Sequence, residues 1–241
     1  MSENEKLDLQ DETAEGGSKL EARRRFLKFS GLGIAALALG QAANVTTFAN
    51  PLSKQTTQTI ELGAGDIGVL NYAYLLEQLE ADFYTRVVAN NFYSGATAEE
   101  RQILTDLRDH EIIHREFFTN VLGSNAIARI PAFDFSLVDF NSRDSVLTNS
   151  QVMEDTGVSA YNGAGQILQS AVYLGLAGKI VSVEARHAAA IRDLRIPRNG
   201  FFADSGTDFA LDPLTVLGLA RQFIPRNITV TANGLPRTIV V

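Results

Sequence analysis

The chain has three histidines, and all of them fall in two short motifs of one type. His110-Glu111-Ile112-Ile113-His114 contains Glu111-x-x-His114, and Val183-Glu184-Ala185-Arg186-His187 contains Glu184-x-x-His187. Two further glutamates each precede a tyrosine by the same interval: Glu77 with Tyr84, and Glu154 with Tyr161. The order along the chain is therefore Glu, Glu-x-x-His, Glu, Glu-x-x-His. Helical residues three apart share a face, so each Glu-x-x-His offers one oxygen and one nitrogen to a common point. One Glu from each of two helices, with a Glu-x-x-His from each of two others, is the inventory by which a helical bundle holds two metal ions. The predicted ligands are Glu77, Glu111, His114, Glu154, Glu184 and His187, with Glu111 and Glu184 as bridging carboxylates and Glu77 and Glu154 as terminal ones. Carboxylate and imidazole together suit iron or manganese, and zinc after them.

Other uses of these residues compete. His110-Glu111-x-x-His114 also fits the metalloprotease motif, in which two histidines bind zinc and the glutamate is the base. That zinc hydrolase needs a third ligand, and only His187 remains to supply it. Glu80 faces inward and rivals Glu77 as the ligand from the first helix. The spacing of Glu77 to Tyr84, copied by Glu154 to Tyr161, favours Glu77. Tyr84 and Tyr161 are candidates for holding the ligands from behind, and His110 lies at the edge of the same stripe.

Four helices must position these groups. A helical pattern runs from Asp66 to about Asn91. A second begins at the capping box Thr97-Ala98-Glu99-Glu100 and stops at Gly123. A third spans about Asp144–Asn162, weakened by Gly163-Ala164-Gly165, and a fourth about Gln169–Leu194, which Pro197 cannot continue. At 100° per residue, Glu111 and His114 share a stripe with Ile103, Leu107, Phe118 and Val121. Glu184 and His187 share one with Tyr173, Ala177, Ile180 and Ile191. Glu154 lies with Leu147, Val158 and Tyr161, and Glu77 with Leu70, Ala73, Tyr84 and Val88. Core-facing carboxylates are costly unless paired or bound to a cation, and four of them resist explanation as packing. Glu77 and Glu154 are 77 residues apart, and Glu111 and Glu184 are 73 apart, so the first two helices repeat roughly as the last two. The expected fold is all-α: a four-helix bundle at 66–195 with a long crossover, about 124–143, between helices two and three. The extension 196–241 holds a short helix opened by Asp212-Pro213, then a hairpin of Ile228–Thr231 and Thr238–Val241 around Asn233-Gly234.

The absence of cysteine excludes disulfides, thiolate catalysis and Cys-ligated metal sites. A net charge of −7 gives no electrostatic footprint for nucleic acid. Residues 1–49 read as a polar, disordered start followed by an export signal. Arg23-Arg24-Arg25-Phe26-Leu27-Lys28, then an apolar stretch Phe29–Gly40, resembles the twin-arginine signal of bacteria. The expected location is outside the cytoplasm, in the periplasm or cell envelope, with the twin-arginine machinery as a partner. Ala38-Leu39-Gly40 and Thr47-Phe48-Ala49 both offer small residues for cleavage. Residues 50–65 read as a linker.

The helices resemble those of the ferritin-like superfamily, and specifically an exported ferritin-like domain family that includes desiccation-related proteins. The segments Leu76–Tyr84, His110–His114, Glu154–Tyr161 and Val183–Ala188 carry the resemblance, which covers about 60–225. It implies a four-helix bundle and two iron or manganese ions on the six residues above. It implies no single reaction. A di-metal oxidoreductase acting on oxygen or peroxide is one expectation; a non-enzymatic stress protein is the other. The lack of cysteine argues against a rubrerythrin-type peroxidase, and the extension argues against a storage cage. A homo-oligomer is compatible with everything above.

Overall fold

The computed structural model describes residues 57–198, 202–203 and 205–235. The expected export signal, its cleavage sites and Thr238–Val241 lie outside the described residues. What is described is helical, with one small sheet.

Helix α1, Gly65–Val88, is buried on nearly every side from Gly68 to Ala81. A helix buried all round must lie in the middle of its fold, and two layers cover α1. On one side it pairs with α3, Ala98–Leu122. On the other lies the crossover, whose Ile130, Phe133, Phe135 and Val138 are buried. The crossover has no ladder of its own, so α1 side chains accept its backbone N–H groups. Asn71 takes that of Ile127 at 2.9 Å, Gln78 that of Ile130 at 2.9 Å, and Asp82 that of Phe133 at 3.0 Å. Polar residues on a central helix thus have work to do. Between α1 and α3 sits a single turn, α2, Asn91–Gly95, which the sequence pattern does not show.

The second pair is α4, Arg143–Gly165, with α5, Ala171–Arg195. Side-chain caps set the starts. Thr97 and Glu100 form the expected capping box, Ser142 accepts from Ser145 N–H, and Ser170 accepts from Tyr173 N–H. Each such cap contributes on the order of 1 kcal/mol. Glu100 also takes Arg143 at 2.6 Å, tying the start of α3 to the start of α4. Asp66 accepts the N–H groups of Gln169 and Ser170, each at 2.8 Å, tying the start of α1 to the start of α5.

Gly163-Ala164-Gly165 does not break α4, which runs through to Gly165. Its purpose is close approach. A Cβ on Gly163 would lie 1.9 Å from the carbonyl oxygen of Leu211, and Leu211 N–H donates to Ser159 O at 3.0 Å. The extension is therefore laid directly on α4. It continues into α6, Pro213–Ala220, capped by Asp212 as expected.

The second strand of the expected hairpin lies outside the described residues, and its first strand has a partner the sequence pattern does not show. Strand β1, Gln58–Glu61, falls in the span that reads as a linker, and it pairs in parallel with β2, Ile228–Thr231. Asn233-Gly234 does make a turn, with Leu235 N–H donating to Ala232 O at 3.1 Å. Gly234 bridges to Ala64 in the parallel sense. Among the described residues, no helix is long and apolar enough to cross a membrane.

Candidate metal centre

All six predicted ligands converge in the middle of the bundle. Glu77, Glu111, Glu154 and Glu184 are fully buried, His187 is 3% exposed and His114 8%. They form two overlapping groups, Glu77, Glu111, His114 and Glu184, and Glu111, Glu154, Glu184 and His187, each with ligand atoms within 4.8 Å of one another. Around His114 Nδ1 lie Glu184 Oε1 at 2.9 Å, Glu77 Oε2 at 3.3 Å and Glu111 Oε2 at 3.4 Å. Around His187 Nδ1 lie Glu111 Oε1 at 3.0 Å, Glu154 Oε2 at 3.3 Å and Glu184 Oε2 at 3.3 Å. Glu111 and Glu184 thus give one oxygen to each group. Glu77 and Glu154 serve one group apiece.

The terminal carboxylates are fixed from behind by tyrosines on the opposite helix. Tyr84 of α1 donates to Glu154 Oε1 at 2.5 Å, and Tyr161 of α4 donates to Glu77 Oε1. Each Oε1 is spent on a phenol, leaving Oε2 free to face the cluster. Burial first, then the adjacent carboxylate, holds both phenols well above their ordinary pKa, so they remain donors.

These donors fit a pair of cations. Glu77 Oε2, both oxygens of Glu111, Glu154 Oε2, Glu184 Oε1 and His114 Nδ1 are buried without a hydrogen-bond partner. Unpaired polar atoms of this kind cost about 1–3 kcal/mol each, and more when charged. Two ligand atoms each about 2.1 Å from one ion lie about 3.0–3.4 Å apart at octahedral or tetrahedral angles, which is the spread seen here. The charges also balance, since four carboxylates and two neutral imidazoles match two divalent ions.

Without that compensation the carboxylates disagree in their proton affinity. Burial, then the charge of Glu184, pushes Glu111 up to about 8 despite the two imidazoles beside it. Burial likewise pushes Glu154 to about 7, against the pull of His187. For Glu184 burial is outweighed by the closeness and charge of His114 and His187, which hold it at about 2. Both imidazoles are desolvated, but the surrounding carboxylates raise their pKa far above the usual range.

His110 belongs to neither group. Its ring stacks on His187 with centroids 5.1 Å apart and planes 10° from parallel, and its Nδ1 lies 2.9 Å from His187 Nε2. It braces a candidate ligand through the far nitrogen and is not a ligand beside His114, so the arrangement a zinc hydrolase needs is not formed. Only the angle of residue 110 at the edge of the stripe hinted at this contact. Glu80, the rival of Glu77, is 4% exposed and also stays outside both groups. Burial first, then the charges of Glu111, Glu154, Glu184 and Glu77, drives its pKa well upward.

A family model for the ferritin-like domain matches residues 65–196, which is more than half of the chain. It begins with α1 and ends just past α5, so it spans every residue of the cluster. No curated protein matches the chain. Four long helices, their repeat and their shared buried carboxylates agree with that match, and the chain belongs to the ferritin-like domain family.

Proposed function

We propose that this chain binds two iron or manganese ions between α1, α3, α4 and α5, and that it serves an oxidative or stress-related role at the cell envelope. The observation that carries the metal pair is the division of Glu111 and Glu184, each with one oxygen beside His114 and the other beside His187. Glu77, Glu111, His114 and Glu184 would hold one ion, and Glu111, Glu154, Glu184 and His187 the other. Bound there, two redox-active ions would supply one electron each to dioxygen or a peroxide. The protein's own part is to keep the donors aligned and dry. Tyr84 and Tyr161 fix the terminal carboxylates, and His110 fixes the ring of His187. The envelope location rests on Arg23–Lys28 and the apolar stretch after it. A route that exports folded proteins would suit one that must load its metal first.

Elemental analysis of the purified protein tests the metal pair. The expected content is about two equivalents of iron or manganese, lost in the Glu111→Ala/Glu184→Ala double variant. Native protein without metal, alongside a variant that folds equally well, would leave a structural or binding role as the function.

A further inference from the structure

The two halves of the bundle match at the ligands but differ at a buried position between them. On the interval that carries Glu77 onto Glu154 and Tyr84 onto Tyr161, Glu80 falls on Gly157. The pairs Tyr84 with Glu154 and Tyr161 with Glu77 show that α1 and α4 run antiparallel. Glu80 and Gly157 therefore meet midway between the two terminal ligands. A Cβ on Gly157 would lie 3.2 Å from Glu80 Oε1, so the glycine leaves room for the one carboxyl. Among the described residues Glu80 makes no hydrogen bond and no ion pair.

What Glu80 does face is a pocket of about 50 Å³ between α1, α4 and the extension. A water needs on the order of 10–15 Å³ by this measure, so a molecule of a few heavy atoms fits. Leu79, Met153 and Phe223 line its buried part, and Val152 and Leu219, which are 50% and 46% exposed, stand at its mouth. The pocket thus runs from the surface to a carboxyl that lies one helical turn from Glu77.

We propose that this pocket is the port by which a small uncharged oxidant of the dioxygen or peroxide class reaches the metal pair, with Glu80 as the polar group that receives it. The outer wall is supplied by α6 and the turn after it, so the extension shapes access to the site. This port rests on the metal-pair reading above.

Met153 is one of two methionines in the chain, and its position in the pocket makes it a local reporter. The full chain carrying ¹³C-methyl methionine and ¹³C-δ1-methyl isoleucine would be observed by NMR under rising pressures of dissolved dioxygen, which is paramagnetic. The expected result is relaxation of the Met153 methyl several-fold faster than that of Ile191, a fully buried core residue, with the difference removed by Leu219→Trp at the mouth. In protein carrying bound ferrous iron, Leu219→Trp and Glu80→Leu should slow the appearance of ferric absorbance on mixing with hydrogen peroxide several-fold, with metal content unchanged. Val152→Trp repeats the block from the opposite wall, should Leu219→Trp misfold. Bound metal with a Met153 methyl no more relaxed than Ile191, or blocked variants that oxidise at the native rate, would overturn the port alone. A protein that holds no metal would overturn the metal-pair reading and the port with it.

Discussion

At the scale of single residues, the buried cluster sets how protons and metal compete. In protein stripped by a chelator, Glu111 and Glu154 rise from an ordinary 4.5 to about 8 and about 7, and both imidazoles rise as well. The folded state then binds more protons than the unfolded one. The carboxylates' share of that stability is fully present below about pH 4.5 and is lost as pH rises toward 8, and the imidazoles' share begins to be lost above their ordinary 6.5. Glu184 works in the opposite sense, but only below its ordinary 4.5. Thermal unfolding of the stripped protein should therefore show a midpoint that falls between pH 5 and 8. Metal binding displaces the same protons, so the gain in midpoint on adding ferrous or manganous ion should grow over that range. A midpoint indifferent to both would contradict the site. Tyr84→Phe should weaken metal affinity by about 10–100-fold, measured by competition with a chelator, because Glu154 Oε1 would lose its donor and the carboxylate could rotate.

At the scale of elements, the helices and their ligands were legible because their signals are local. Glu-x-x-His on an apolar stripe, Thr97 with Glu100 and Asp212-Pro213 each declare themselves within one or two turns. What the sequence did not show depends on contacts made across the chain. The cover over α1 comes from a crossover whose backbone leans on Asn71, Gln78 and Asp82, a role that nothing within their own helix announces. The brace of His187 by His110 joins residues on different helices. Gly163 reads as a helix breaker, although the structure uses it as a landing place for Leu211. Gly163→Ala should therefore destabilise the protein by about 1–3 kcal/mol in denaturant unfolding, although alanine is the better helix former. Gly175→Ala on α5, where an added Cβ meets nothing within 4 Å, should do no harm.

At the scale of the whole molecule, the parts outside the bundle reach back into it. The parallel pairing of β1 and β2 joins the chain just before α1 to the chain beyond α6, and Phe223 O accepts the N–H of Asp134 in the crossover at 2.7 Å. The extension is built into the fold, which is why truncation before Asp212 should lower the unfolding midpoint as well as open the pocket. Arg23→Lys/Arg24→Lys should hold the folded protein in the cytoplasm of a bacterial host, as followed by fractionation, with its metal content intact. Export of that variant at the native level would refute the twin-arginine route.

The pairing of Glu80 with Gly157 also bears on how such a repeat can be taken apart. A bundle built from two copies of the α1–α3 hairpin would set one Glu80 against another, with no glycine to receive either. A bundle built from two copies of α4–α5 would set glycine against glycine and leave a void where the carboxyl sits. Neither hairpin, expressed alone, can rebuild the parent by pairing with itself. The halves are complementary parts at this position, so exchanging one for a copy of the other should cost stability that swapping like for like would not.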